Sequence, residues 1–298
     1  MMADWDDLKV FLALARSESL TAAGKVLKID AATVGRRIAR LEEAIAARLF
    51  TRSPQGYALT DAGERLLAHA VRAEQAVIAA TDEVRGEAGR LTGQVRIGAP
   101  DGVANFLLPQ ITAQICDDNP GLEVQIVALP RVFNLSKREA DMAITVSRPA
   151  AGRLTAQKLT DYHLHLAASR GYLDRHPAIR DLADLGSHRM VGYIADLIFD
   201  SELDYLSATG AEAATLASNS VSVQFNWLRA GAGIAIVHDF ALPSAPDLVR
   251  ILPEALSLTR SFYLIRHADD RRVARLNRFA ELLAQGMRRE VARLEALA

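Results

Sequence analysis

Arg36, Arg37, Arg40, Arg48 and Arg52 crowd one short stretch of this 298-residue chain, and only Glu42 and Glu43 oppose them between Ala31 and Thr60. The formal net charge of the whole chain is −1, so the positive patch is local and is invisible in the overall balance. Guanidinium groups pair with phosphate oxygens and with the acceptor edge of guanine. Such a cluster suits duplex DNA better than a small-molecule pocket, provided the arginines project from an element that fits a groove. Otherwise they are ordinary solvated surface.

The flanking residues supply that element. Val10, Phe11, Leu14 and Ala15 recur at helical spacing, as do Ala22, Ala23, Val26 and Leu27 after Thr21, which is expected to cap a second helix. Asp30 offers the next cap, and its carboxylate suits the positive end of a helix dipole. From Ala31 to Ala47 an apolar stripe of Val34, Ile38, Leu41 and Ile45 predicts a third helix, with Arg36, Arg37 and Arg40 off the stripe and Thr33 beside it. Leu49-Phe50, the turn-rich Ser53-Pro54-Gln55-Gly56 and Tyr57-Ala58-Leu59 predict a hairpin, and Thr60 or Asp61 caps the helix that follows. Together these make a winged helix-turn-helix. The residues near the start of its third helix reach base edges, while the wing lies along phosphates or in the minor groove. The expected contact set is Thr21, Ala31, Ala32, Thr33, Arg36, Arg37, Arg40, Arg52 and Gln55.

Phe11 and Ala15, Thr21-Ala22-Ala23, Val34 through Arg40-Leu41-Glu42, Arg48-Leu49-Phe50, Arg52 and Leu59-Thr60-x-Ala62-Gly63 form a pattern that resembles the LysR-type transcriptional regulators. The resemblance extends over nearly the whole chain through length and downstream organisation, with its specific motif at the amino terminus. Two positions depart from it. Asp30 and Ala31 stand where the family often has Ser-Gln, and Gly35 where it often has Ser. Ala31 cannot make the hydrogen bonds of a glutamine, so base readout is expected to fall on Thr33, Arg36 and Arg37. Gly35 costs about 1 kcal/mol of helix propensity relative to alanine; either it lets the backbone approach a phosphate, or it is drift at an exposed site.

After the wing, Leu66, Ala70, Ala73, Val77, Ala80 and Val84 step by alternating fours and threes, as a coiled-coil seam does. The spacing is compatible with a dimer helix or with an amphipathic helix packed on its own domain. The family resemblance implies the former: paired linker helices that present two reading helices to one two-fold site, in a homodimer or homotetramer.

Hydrophobic residues make up 50% of the chain and charged residues 24%, which is ordinary for a globular protein with room for two or three domains. Asp4, Asp6 and Asp7 stand where a signal peptide needs positive charge, no apolar run is long enough to span a bilayer, and Cys116 is the single cysteine. A cytoplasmic location without membrane association is expected. Three glycines between Gly86 and Gly93 mark a boundary, and beyond it strand and helix patterns alternate. The domains expected are residues 1–60 for the winged helix-turn-helix, 61–89 for the linker helix and 90–298 for an α/β half with parallel sheets. The fold class is therefore α+β multidomain. Expected strands are Gln94–Ala99, Leu122–Leu129, Asp141–Val146, Leu164–Ala168, Arg189–Gly192, Ile234–Val237 and Ser261–Ile265. Expected helices are Phe106–Cys116, Val221–Ala230 and Arg271–Ala298.

The resemblance implies that this half is a two-lobed effector domain similar to type 2 periplasmic binding proteins. Lobe I would be residues 94–162 and 268–298, and lobe II 163–267, with crossings near Asp161–Leu164 and Arg266–Asp269. A small-molecule effector would then lie between the lobes, against Asp101, Gly102, Val103, Pro130, Thr145, Ser147, Ser218, Asn219 and Ser220. Helix starts favour carboxylate ligands, but Asp101 stands in one of them: either it is only a helix cap, or the effector is neutral or cationic. Arg131 and Arg148 are candidate anion clamps or simply surface. The histidines show no metal-binding spacing, Gly231-Ala232-Gly233 precedes a strand and so is no dinucleotide fingerprint, and no nucleophile–base cluster stands out. No metal, cofactor or enzyme activity is expected. The function expected is ligand-modulated, sequence-specific DNA binding; the alternative is a solute-binding protein, which would lack the Thr21–Thr60 motif.

Overall fold

The computed structural model describes residues 4–53, 56–84, 91–128, 140–149, 154–268, 270 and 273–298. Contacts within the chain divide it into two compact units, Met1–Gly89 and Arg90–Ala298.

In the first unit, helices α1 (Trp5–Ser17), α2 (Leu20–Leu27) and α3 (Ala31–Ile45) precede a hairpin of β1 (Phe50–Ser53) and β2 (Gly56–Leu59), then α4 (Asp61–Val84). Phe11, Leu14, Ala23, Val34, Ile38, Leu41 and Leu49 form its core, joined from α4 by Leu66, Leu67, Ala70 and Val71. The α3 stripe buries Val34, Ile38 and Leu41 but leaves Ile45 exposed at the helix end. Capping differs from expectation at α2: Ser19, not Thr21, is the cap, accepting from the Ala22 amide, and Thr21 lies exposed within the helix. Thr60 starts α4, its hydroxyl accepting from the Gly63 amide at 3.1 Å and donating to the Arg48 carbonyl at 2.6 Å. The turn between α2 and α3 is tight: a methyl on Gly24 would lie 2.6 Å from the Ile29 carbonyl oxygen.

The second unit contains β3 (Gly93–Ala99), α5 (Asp101–Phe106), α6 (Leu108–Asp118), β4 (Leu122–Ala128), β5 (Met142–Thr145), β6 (Leu154–Ser169), α7 (Arg170–Leu173), β7 (Val191–Gly192), β8 (Leu216–Ala217), α8 (Val221–Arg229), β9 (Ala235–His238), β10 (Leu248–Ile251), β11 (Ser257–His267) and α9 (Ala274–Glu295). The main sheet runs β10-β6-β11-β5-β3-β4, with β9 also on β6. Only part of it is parallel as expected. β3 pairs in parallel with β4 and β5, whereas β6 pairs antiparallel with β9, β10 and β11. Two long strands, β6 and β11, extend beyond the expected Leu164–Ala168 and Ser261–Ile265. β11 already pairs with β5 at Tyr263–Arg266, just after a register shift between Phe262 and Tyr263. A separate parallel pair, β7 with β8, flanks β9 through a bridge from Met190 to Ile234.

Candidate nucleic-acid interface and effector site

Helix α3 is built from its first residue to present side chains. Asp30 accepts from the Thr33 amide at 2.8 Å and from the Thr33 hydroxyl at 2.7 Å, and these bonds hold its carboxyl below the usual range. Arg36 in turn donates to the Thr33 hydroxyl at 2.9 Å. Asp30, Thr33 and Arg36 thus form one chain along the exposed start of the helix, which orients the Arg36 guanidinium while leaving most of its donors free. Ala32 and Arg36 are exposed, and Ala31, Thr33, Gly35 and Arg37 half-buried.

Arg40 differs. Its guanidinium grips the carboxylate of Asp7 on α1 through two nitrogens, with Nε donating at 2.6 Å, and Asp7 is only 2% exposed. Arg40, expected as a DNA contact, is the counter-charge of a buried carboxylate and clamps α3 to α1. Arg48 is engaged with Glu42 at 2.8 Å, while the other Glu42 oxygen accepts from the Leu49 and Phe50 amides and anchors the start of the wing. The far strand of the wing is tied to α1 by the Tyr57 amide on the Glu18 carbonyl at 2.9 Å. Arg52 is exposed on β1. Gln55 lies outside the described residues.

The first residues of the seam expected along α4 pack on their own unit. Ala70 is 1% exposed and, with Leu66, covers the core of its own unit, because the first half of α4 packs on the helix-turn-helix. Arg16 pairs with both carboxylate oxygens of Glu74 and fastens α4 to α1. Just before Glu74, Ala73 is half-buried, and beyond it Val77 and Ala80 are exposed. The Val84 side chain is outside the described residues.

In the second unit, Asp101 opens α5 without capping it. Its carboxylate reaches instead to the start of α8, where it accepts from the Ser222 amide at 2.8 Å and the Ser220 hydroxyl at 3.0 Å. The expectation of a cap holds for the wrong helix. Gly102 packs where a methyl would lie 3.4 Å from the His238 ring and 3.5 Å from Val221. Val103 turns into the core at 1% exposure. The Thr145 hydroxyl donates to the Ser147 carbonyl at 2.6 Å, and the Ser147 hydroxyl makes a short hydrogen bond to Asp200. The Ser218 hydroxyl accepts from the Ser220 amide, the Ser218 carbonyl accepts from Gln224, and Asn219 lies half-buried between them in sequence. Pro130 and Arg131 are outside the described residues, and Arg148 stacks over the Tyr263 ring at 5.3 Å. Next to these residues, a cavity of about 600 Å³ opens inside residues 190–236. Among the described residues no group of His, Cys, Asp and Glu could hold a metal, and no helix is long and apolar enough to cross a membrane.

The bacterial regulatory helix-turn-helix family of LysR type matches residues 5–64, and the LysR substrate binding domain matches residues 88–288. This chain belongs to the LysR family of transcriptional regulators. It is a DNA-binding regulator with an effector-binding domain, in a family whose members bind DNA and small molecules and form oligomers. Curated relatives include the transcriptional regulator PtxR of Pseudomonas aeruginosa, 26% identical over 96% of this chain and 94% of that one. The transcriptional activator TtdR of Escherichia coli is 28% identical over 85% of each chain. These relatives are regulators, not enzymes. The fold matches a full-length OxyR variant from Pseudomonas aeruginosa (TM-score 0.70, 18% identity, 97% of this chain and 95% of that one). It also matches CrgA from Neisseria meningitidis (TM-score 0.58, 22% identity, 94% and 97%).

The effector domain of this LysR-family regulator holds polar residues that sequence patterning did not find. His238 is buried, its Nδ1 has no hydrogen-bond partner, and burial lowers its pKa to about 4, so the ring is neutral at ordinary pH. It stacks on Tyr162, with centroids 5.4 Å apart, and meets Tyr205 edge-on. The hydroxyls of Tyr162 and Tyr205 lie close enough to influence each other's ionisation. Burial keeps both phenols protonated. His163 and His165, expected on one strand face, have separate carboxylate partners in Glu295 and Asp239. Cys116 packs against the core, with its thiol pushed up in pKa by burial, the opposite of a reactive thiolate.

Proposed function

We propose that the start of α3 enters the major groove of duplex DNA, with Arg36 and Arg37 reading or anchoring it, Thr33 orienting Arg36 and Arg52 reaching the backbone from the wing. The observation that carries this reading is the Asp30–Thr33–Arg36 chain, which costs the helix start no folding role and aims a guanidinium outward. Arg40 is left out of this set because its guanidinium is paired with Asp7. A homodimer formed along Ala73, Val77 and Ala80 of α4 would bring two such helices to a two-fold site. A small molecule held near Asp101, Gly102, Ser147 and Ser218–Ser220 would alter that grip, through different affinity for two arrangements of the protein. The protein would act in the cytoplasm, where a single half-buried thiol stays reduced.

The test is DNA binding of Arg36→Ala and Arg37→Ala across a salt series. A base-reading arginine should cost roughly 1–3 kcal/mol on the specific site and much less on random DNA. A phosphate anchor should weaken both alike and reduce the salt slope by about one. If neither variant changes binding, the reading helix has been wrongly assigned.

A further inference from the structure

The cavity within residues 190–236 is large enough for a small metabolite, and its lining is one-sided. Tyr193, Phe199 and Tyr205 supply aromatic surface, while Asp200, Asp204 and Glu212 supply carboxylates; no Lys, Arg or His lines it among the described residues. Proteins hold organic anions with guanidinium groups, ammonium groups or helix starts. Here the start of α8 is already taken by the Asp101 carboxylate, and Arg260, whose charge acts on Tyr205, is paired with Glu202 at 2.7 Å. Tyr205 is 6% exposed and lines the cavity.

We propose that this cavity takes an organic cation, an ammonium group on an apolar and preferably aromatic body. The ammonium sits at Asp200 and Asp204, and the body lies against Tyr193, Phe199 and Tyr205. Aromatic faces attract cations, more strongly when water is excluded, and a carboxylate–ammonium hydrogen bond is about twice as strong as a neutral one. Asp200 also makes this site responsive. Its carboxylate accepts from Ser147, which follows β5 in the part of the sheet containing β3 and β4. An ammonium drawing on Asp200 competes with that bond, so occupancy of the cavity loosens a tie to a distant segment of the domain. This inference rests on the effector-responsive reading above.

Calorimetric titration of the full-length protein with phenethylamine and tyramine, beside phenylacetate, 4-hydroxyphenylacetate and 2-phenylethanol, tests it. The two amines should bind and raise the melting temperature, while the two carboxylates should do neither and the alcohol should bind at least about tenfold more weakly than the amines. Asp200→Asn should weaken the amines about tenfold, and Ser147→Ala, which removes the competing bond without removing charge, should leave them as tight or tighter. Preference for a carboxylate, equal binding of the alcohol, or no amine binding at about 10 mM would overturn the proposal. DNA binding measured on the same preparations separates the two claims: DNA bound without amine response rejects only the ligand class, whereas amine binding without any DNA binding rejects the regulatory reading.

Discussion

Asp101→Ala is the most informative single change in the effector domain, because its carboxylate accepts from two groups at the start of α8 and, within its own helix, from the Asn105 side chain alone. The variant removes the acceptor for the Ser222 amide and the Ser220 hydroxyl. Loss of a capping acceptor costs about 0.5–2 kcal/mol, and loss of a negative charge at a helix start about 0.3–1 kcal/mol. The Ser220 hydroxyl still caps α8 through the Val223 amide, so the lower half of that range applies, about 1–2 kcal/mol in all. In a domain of this size each kcal/mol shifts the melting temperature by roughly 2–4 °C, so scanning calorimetry should show a fall of about 2–8 °C. The vacated helix start should then accept an added anion: sulfate, against chloride at equal ionic strength, should restore the variant more than it raises the native protein. Asp101→Asn, which keeps one acceptor oxygen, should recover about half of the loss. An alanine variant that melts with the native protein, or shows no extra response to sulfate, would refute the claim that Asp101 fills an anion position on α8.

Other expectations follow from single contacts. Gly35 sits in mid-helix with only Leu20 within 4 Å of an added methyl, at 3.9 Å, so Gly35→Ala should stabilise the protein by about 1 kcal/mol; a loss of DNA affinity alongside would show that a phosphate approaches the bare backbone there. Gly24→Ala should do the reverse, losing about 1–3 kcal/mol by forcing the α2–α3 turn apart, and denaturant melts distinguish the two. Val77→Glu should split dimers in sedimentation if α4 pairs beyond Ala73, and an unchanged mass would place the interface elsewhere. His238 is held neutral down to about pH 4, against 6.5 when unfolded. The unfolded chain therefore binds the extra proton first, and stability should fall by roughly 3 kcal/mol between pH 6.5 and 4; His238→Gln should flatten that part of the acid-unfolding curve.

Local pattern carried the helix-turn-helix well, because each of its helices shows its apolar face within one or two turns and Asp30 is followed by the residue that it caps. What local pattern could not show was pairing across distance. Arg40 looked like Arg36 until Asp7, far away in sequence, was placed against it, and the periodicity of Leu66 and Ala70 was equally consistent with the core that they cover. In the effector domain, β6 was legible only at its buried end. Its first half, Thr155-Ala156-Gln157-Lys158, is largely exposed and has no apolar alternation. The helix expected over Phe106–Cys116 is two helices, since Pro109 near the start of α6 lacks an amide and a new turn begins at Leu108. The cavity residues between Tyr193 and Glu212 lie in short turns with no period at all, so nothing but the fold could bring Asp200 to Ser147 or Tyr205 to His238.

Whether the start of α3 reads DNA is decided by selecting bound duplexes from a random pool with the full-length protein. A two-fold symmetric sequence should be enriched, bound with an affinity that falls steeply and linearly in log salt, and that enrichment should be lost in the Arg36→Ala, Arg37→Ala double variant. Random sequence after selection, or enrichment unchanged by the double variant, would contradict that reading.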